Sequence, residues 1–107
     1  MKLSEFEERY IFTIKIELDD EGNFIILREP TTLEIKDINK KNEEDQIDGL
    51  IKIFPKCLID HSFEDDNGEK ADFKKVASIV MQSGFTFYDS IRIWNESIAL
   101  KKTNVKK

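Results

Sequence analysis

The sequence predicts an α+β fold: an N-terminal antiparallel β-hairpin packed on about four short helices, in a single domain over residues 1–100. Three observations carry this expectation. Before Pro30 the apolar residues recur with period two, as on a half-buried strand; beyond it they recur at i, i+3, i+4 and i+7, as on helices laid over a core. Asp19-Asp20-Glu21-Gly22 interrupts the first region with turn chemistry and folds it back on itself. The 107 residues suffice for one domain, and eight Phe, two Tyr and one Trp supply it with a core.

Residues 1–8 read as a short helical turn or lead-in carrying Leu3 and Phe6. Arg9 to Leu18 alternates, with Tyr10, Phe12, Ile14, Ile16 and Leu18 on one face, and is the first strand. Asn23 to Glu29 returns as the second. It is apolar on both faces through Phe24, Ile25, Ile26 and Leu27, so it is expected to be the more covered of the two. An isolated hairpin is marginal in water, so this one must pack on helices or pair with another chain.

Pro30 ends the strand. Thr31 with Glu34 three residues on is a capping box, opening a short helix with Leu33, Ile35 and Ile38. Asn39 to Asp45 is wholly polar and reads as a loop or an exposed joint between two helices. Ile47, Leu50, Ile51 and Phe54 mark the next helix; Pro55 disfavours helix at Phe54 and can start a new turn. The apolar run continues through Cys57, Leu58 and Ile59 to Asp60-His61, expected to close a helix, and Glu64 to Lys70 is an exposed turn. Asp72 to Ser83 is a helix with the stripe Phe73, Val76, Ala77, Val80 and Met81, and Gly84 suits the left-handed position past its end. Thr86 with Asp89 opens the last helix, which carries Tyr88, Ile91, Trp94 and Ile98 and runs to about Leu100. Lys101 to Lys107 reads as a disordered basic tail.

Charge narrows the function classes. The chain is net −5, with 19 acids and 10 bases over residues 1–70 and 3 acids and 7 bases over residues 71–107. A nucleic-acid binder would carry a basic face interleaved with aromatics. One cysteine makes no internal disulfide, the acidic start has no apolar signal-peptide core, and no run approaches the ~20 apolar residues of a membrane span. A cytoplasmic protein with no nucleic-acid or membrane partner is expected.

Cys57, Asp60 and His61 fall within five residues and could suggest a metal half-site or a Cys/His nucleophile pair. A structural zinc needs about four ligands, and there is no second Cys or His. Cys57 is therefore expected as a small core residue. Asp65 to Glu69 resembles a calcium loop only faintly: with Gly68 at the sixth position, Phe63 stands where the first acid belongs. There is no Gly-rich phosphate loop. No catalytic, metal or cofactor residue is assigned. The best surface candidates are Phe85, Phe87, Tyr88 and Trp94, as a protein-docking patch, since aromatics dominate interface hot spots; the alternative is that they cap the core where two helices meet.

Two segments carry a family resemblance: Phe24-Ile25-Ile26-Leu27-Arg28-Glu29-Pro30-Thr31 and Pro55-Lys56-Cys57-Leu58-Ile59-Asp60-His61-Ser62-Phe63, followed by a helix containing Val76 and a late helix ending near Trp94. In order and spacing, over roughly residues 23–95, the chain resembles the small tail assembly chaperones of long-tailed phages and prophages. It departs from that pattern at Phe54-Pro55, where Leu-Pro is usual, and at Cys57-Leu58. The resemblance implies a non-enzyme that binds the tape-measure protein and helps recruit major tail protein in the host cytoplasm during virion assembly. The rivals are a structural or adaptor protein of a phage particle, self-associating through the hairpin as a homo-oligomer, and a small hydrolase or metal protein built on Cys57, Asp60 and His61.

The resemblance further implies a longer form made by ribosomal frameshifting, for which A-rich codons of Lys101-Lys102 or Lys106-Lys107 would supply the slippery run. The DNA there should show such a run and an overlapping downstream frame; a unique stop codon with no overlap contradicts it.

Overall fold

Ile14 and Ile16 alternate along the first strand and Ile25 and Leu27 along the second, and folding back puts all four on one face. In the structure, a computed structural model that describes residues 1–39 and 46–105, Thr13–Glu17 is β1 and Phe24–Arg28 is β2. They run antiparallel, Ile14 opposite Leu27 and Ile16 opposite Ile25. Gly22 takes φ +89° at the turn, and the Asp19 carboxylate accepts the N–H groups of Glu21 and Asn23. β2 is the more covered strand, as its apolar run predicts: Ile25 and Leu27 have no exposed surface.

β1 is shorter than expected. Leu3–Tyr10 is a helix, α1, so Arg9 and Tyr10 leave the strand. Leu3, Phe6 and Tyr10 stand at i, i+3 and i+7, a helical spacing that overlaps the start of the period-two pattern. No residue of α1 is buried.

The capping box forms as read. Thr31 Oγ1 accepts the Glu34 N–H at 3.3 Å, and Glu34 accepts the Thr31 N–H at 2.8 Å, opening α2 (Thr32–Asn39). Glu34 also receives a fork of two bonds from Arg28, at 2.9 and 3.3 Å, and Arg28 reaches on to the Lys56 carbonyl at 3.2 Å. One side chain thus ties the end of β2 to the start of α2 and to the last turn of α3 (Gln46–Cys57). The expected loop at Asn39–Asp45 lies outside the described residues from 40 to 45; Asn39 belongs to α2. Gly49 lets α2 approach α3: a Cβ there would stand 2.7 Å from Ile38 Cγ2.

Four expectations in the middle and end of the chain are corrected. Helix α3 does not break at Phe54; it runs through Pro55 to Cys57, because a proline in the last turn removes only one ladder bond. Leu58–His61 then forms a third strand, β3, so Asp60-His61 do not close a helix. β3 pairs antiparallel with β2, giving the order β1-β2-β3. Its register shifts between Ile26 and Leu27, leaving Ile59 without a partner and 43% exposed, as at a β-bulge. The last helix, α5 (Phe85–Val105), starts directly after Gly84 at φ +65°, with Tyr88 N–H donating to the Gly84 carbonyl. Thr86 is therefore inside the helix and is no cap. The helix also passes Leu100, so residues 101–105 of the expected tail are helical; Lys106 and Lys107 lie outside the described residues. Lys101 holds that end down, bonding to the Tyr10 carbonyl at 2.7 Å and pairing with Glu29.

With α4 (Phe73–Met81), capped by Asp72, the described residues hold five helices rather than four, of which α3, α4 and α5 lie against the inner face of a three-stranded sheet. The core joins Ile16, Ile25 and Leu27 to Phe54 and Cys57 of α3, Val76 and Val80 of α4, and Ile91 and Trp94 of α5. Phe54 is its centre, edge-on to Phe87 at 5.0 Å and to Trp94 at 6.5 Å. The other sheet face is polar at Lys15 and Asp60, with Lys15 Nζ 4.4 Å from the Phe24 ring centroid.

Arg28 beside Glu34 holds that carboxyl down from 4.5 to about 2. A depressed folded-state value stabilises fully above 4.5 and loses that contribution as pH falls towards 2. Glu34→Gln should therefore cost about 1.5–3 kcal/mol in urea unfolding at pH 7. The deficit should shrink as pH falls through that window; a deficit constant with pH contradicts the assignment.

Candidate interaction surface

The aromatic run on the first turns of α5 is split by helical geometry. Phe87 and Trp94 stand seven residues apart on the inward face and are buried at 8% and 0% exposure. Phe85 and Tyr88 point outward, at 87% and 50%. The docking patch read from sequence therefore keeps Phe85 and Tyr88, while Phe87 and Trp94 cap the core against Phe54. The core-capping reading accounts for Phe87 and Trp94, and only Phe85 and Tyr88 are exposed at the surface. Trp94 Nε1 finds no hydrogen-bond partner among the described residues, which marks how fully the indole is committed to packing.

A second apolar surface was missed by the sequence reading. Leu3, Phe6 and Tyr10 line one side of α1, with Ile11 just beyond it, and all four are exposed. Phe6 and Tyr10 touch, ring centroids 4.7 Å apart. The signal was the spacing of Leu3, Phe6 and Tyr10, masked by the alternation that begins at Tyr10. α1 rests on the body near its C-terminal end: Lys101 bonds the Tyr10 carbonyl, and Glu29 accepts the Phe12 N–H at 3.0 Å. Open clefts flank it, one of about 540 Å³ lined in part by Ile11, Phe12 and Leu100.

Cys57, Asp60 and His61 do not converge on a common site. Cys57 is the buried last residue of α3, and burial pushes its thiol up to about 11. Asp60 turns outward and pairs with Lys70, which with the His61 N–H lowers its carboxyl below the usual range. His61 is 3% exposed and both ring nitrogens are engaged: Nδ1 accepts the Phe63 N–H at 3.0 Å, so Nε2 carries the proton donated to the Ala71 carbonyl at 2.9 Å. This imidazole fastens the loop after β3. Among the described residues, no three His, Cys, Asp or Glu side chains are grouped to hold a metal ion. The Asp65–Glu69 segment is a closed turn, the Asp65 carboxylate accepting the N–H groups of Asn67 and Glu69.

No helix among the described residues is long and apolar enough to cross a membrane. Comparison with protein-family models, with curated proteins and with solved structures finds no match.

The burial of Cys57 gives a direct check. Its thiol should react with a soluble disulfide reagent on the order of 100-fold more slowly in the native protein than in urea. Equal rates would place it on the surface and reopen a chemical role.

Proposed function

We propose that the chain is a non-enzymatic assembly protein of the tail-chaperone type, binding the tape-measure protein of a long-tailed phage or prophage while the tail tube assembles. The reading is supported by the two segments that carry the resemblance, which the fold uses together: Phe24–Arg28 and Leu58–His61 are paired strands, and Arg28 joins Thr31-Glu34 to the turn of α3 that precedes Leu58. Binding another polypeptide requires apolar side chains held out from a stable body. Phe85 and Tyr88 on α5, and Leu3 and Phe6 on α1, meet that requirement. Aromatics on a fixed helix lose little conformational freedom when covered.

Self-association through the hairpin has one observation in its favour: β1 is an edge strand. It is also only five residues long, with Lys15 and Glu17 exposed along it, features that discourage edge-to-edge pairing.

The test is co-expression with a long helical tape-measure protein, which this reading predicts to be encoded beside this gene. A soluble complex is expected, and Phe85→Ser/Tyr88→Ser should reduce its recovery about tenfold or more with the fold intact, because both residues lie at the surface. The absence of any complex, or rings and tubes of this chain alone in light scattering, would favour the self-associating reading.

A further inference from the structure

We propose that the cleft between the Phe63–Asp72 loop and α4 is a docking site for a basic, amphipathic segment of another protein. The cleft is about 450 Å³, room for a few side chains. Phe63, Val76, Ile79 and Val80 give it an apolar floor. Val76 and Val80 belong to the core, but Ile79 on the same helix is 58% exposed, an aliphatic side chain left facing water at the cleft.

The rim is negative. Glu64, Asp65, Asp66 and Asp72 border the cleft against one cation, Lys75. Asp65 is spent within its own turn, and Asp72 caps α4 by accepting the Lys75 N–H. Glu64 and Asp66 make no side-chain hydrogen bond or ion pair among the described residues, and the nearby Lys70 is taken by Asp60. Two uncompensated carboxylates beside an exposed isoleucine favour an occupant with Lys or Arg flanking an aliphatic anchor.

The rim is also built in advance. The backbones of Glu64 and Lys70 form an antiparallel β-bridge, Asp65 N–H donates to the Glu69 carbonyl at 2.7 Å, and Ala71 N–H donates to the Phe63 carbonyl at 3.1 Å. His61 fastens both ends of the loop, through Phe63 N–H and the Ala71 carbonyl. Binding here orders little that is not already ordered. A second copy of this chain, net −5, is the poorer match in charge. The proposal stands apart from the tail-assembly reading, which uses α1 and α5.

The experiment is an amide NMR titration of the full chain with two capped helical peptides of about 12 residues, one patterned Lys/Leu and one Glu/Leu. The Lys/Leu peptide should give saturable shifts confined to residues 63–80, and the Glu/Leu peptide none. Glu64→Lys/Asp66→Lys, and separately Ile79→Asp, should weaken binding about tenfold or more. If the charge-reversed variant loses its native spectrum, Glu64→Gln/Asp66→Asn removes the charge with less change of shape and should weaken binding in the same direction. Shifts centred elsewhere, equal binding of both peptides, or unchanged affinity in the variants would overturn the proposal. So would dilution-dependent shifts at these amides without peptide, which assign the cleft to a second copy.

Discussion

Ile25 and Leu27 sit on β2 with no exposed surface, between β1 on one edge and β3 on the other, beneath α3. Such a strand exposes neither edge and only one face, and the rest of the molecule is arranged to meet those demands. β3 must return antiparallel, so α3 has to end where β3 begins, at Cys57 and Leu58. Arg28, last residue of β2, supplies the link: its guanidinium holds Glu34 at the start of α2 and the Lys56 carbonyl at the end of α3. A charged group half out of water with this many partners is held in one place, since charge-assisted forked bonds are directional as well as strong. At the far end of the helical layer, Lys101 plays a smaller version of the same part, tying α5 to Glu29 and to the α1–β1 joint.

The outward surface follows from the inward one. Once Phe87, Ile91 and Trp94 turn α5 towards Phe54, helical geometry leaves Phe85 and Tyr88 facing away. α4 repeats the arrangement, with Val76 and Val80 in the core and Ile79 outside. α1 differs in kind: its apolar side chains contribute nothing to the core, and few bonds hold it to the body. The chain thus divides into a rigid frame and several apolar surfaces carried on it. Within that frame Cys57 packs in the core, His61 anchors the loop after β3 and Asp60 makes a surface ion pair.

The parts of the fold legible in the sequence are those where local pattern and tertiary need agree. Ile14, Ile16, Ile25 and Leu27 announce a hairpin by alternation, Thr31 and Glu34 announce a helix start, and Val76, Ala77 and Val80 announce a buried stripe. β3 was illegible because four residues carrying a bulge at Ile59 never complete an alternation, and they continue an apolar run that is helical up to Cys57. Thr86 misled because Gly84, already in the left-handed region, starts the helix one residue before Thr86 can act. Lys101 read as tail because its partners, Glu29 and Tyr10, lie 72 and 91 residues away in sequence. For the surface, the aromatic cluster on α5 was legible; which of Phe85, Phe87, Tyr88 and Trp94 faced outward depended on where α5 starts and which face it buries.

Native-state hydrogen exchange tests the division into frame and carried surface most directly. Paired amides of β2 and β3 should exchange only through global unfolding, whereas those of α1 should open at a free energy several kcal/mol lower. If α1 is protected as strongly as β2, or if the β2–β3 pair opens well below the global limit, the frame is not where this account puts it.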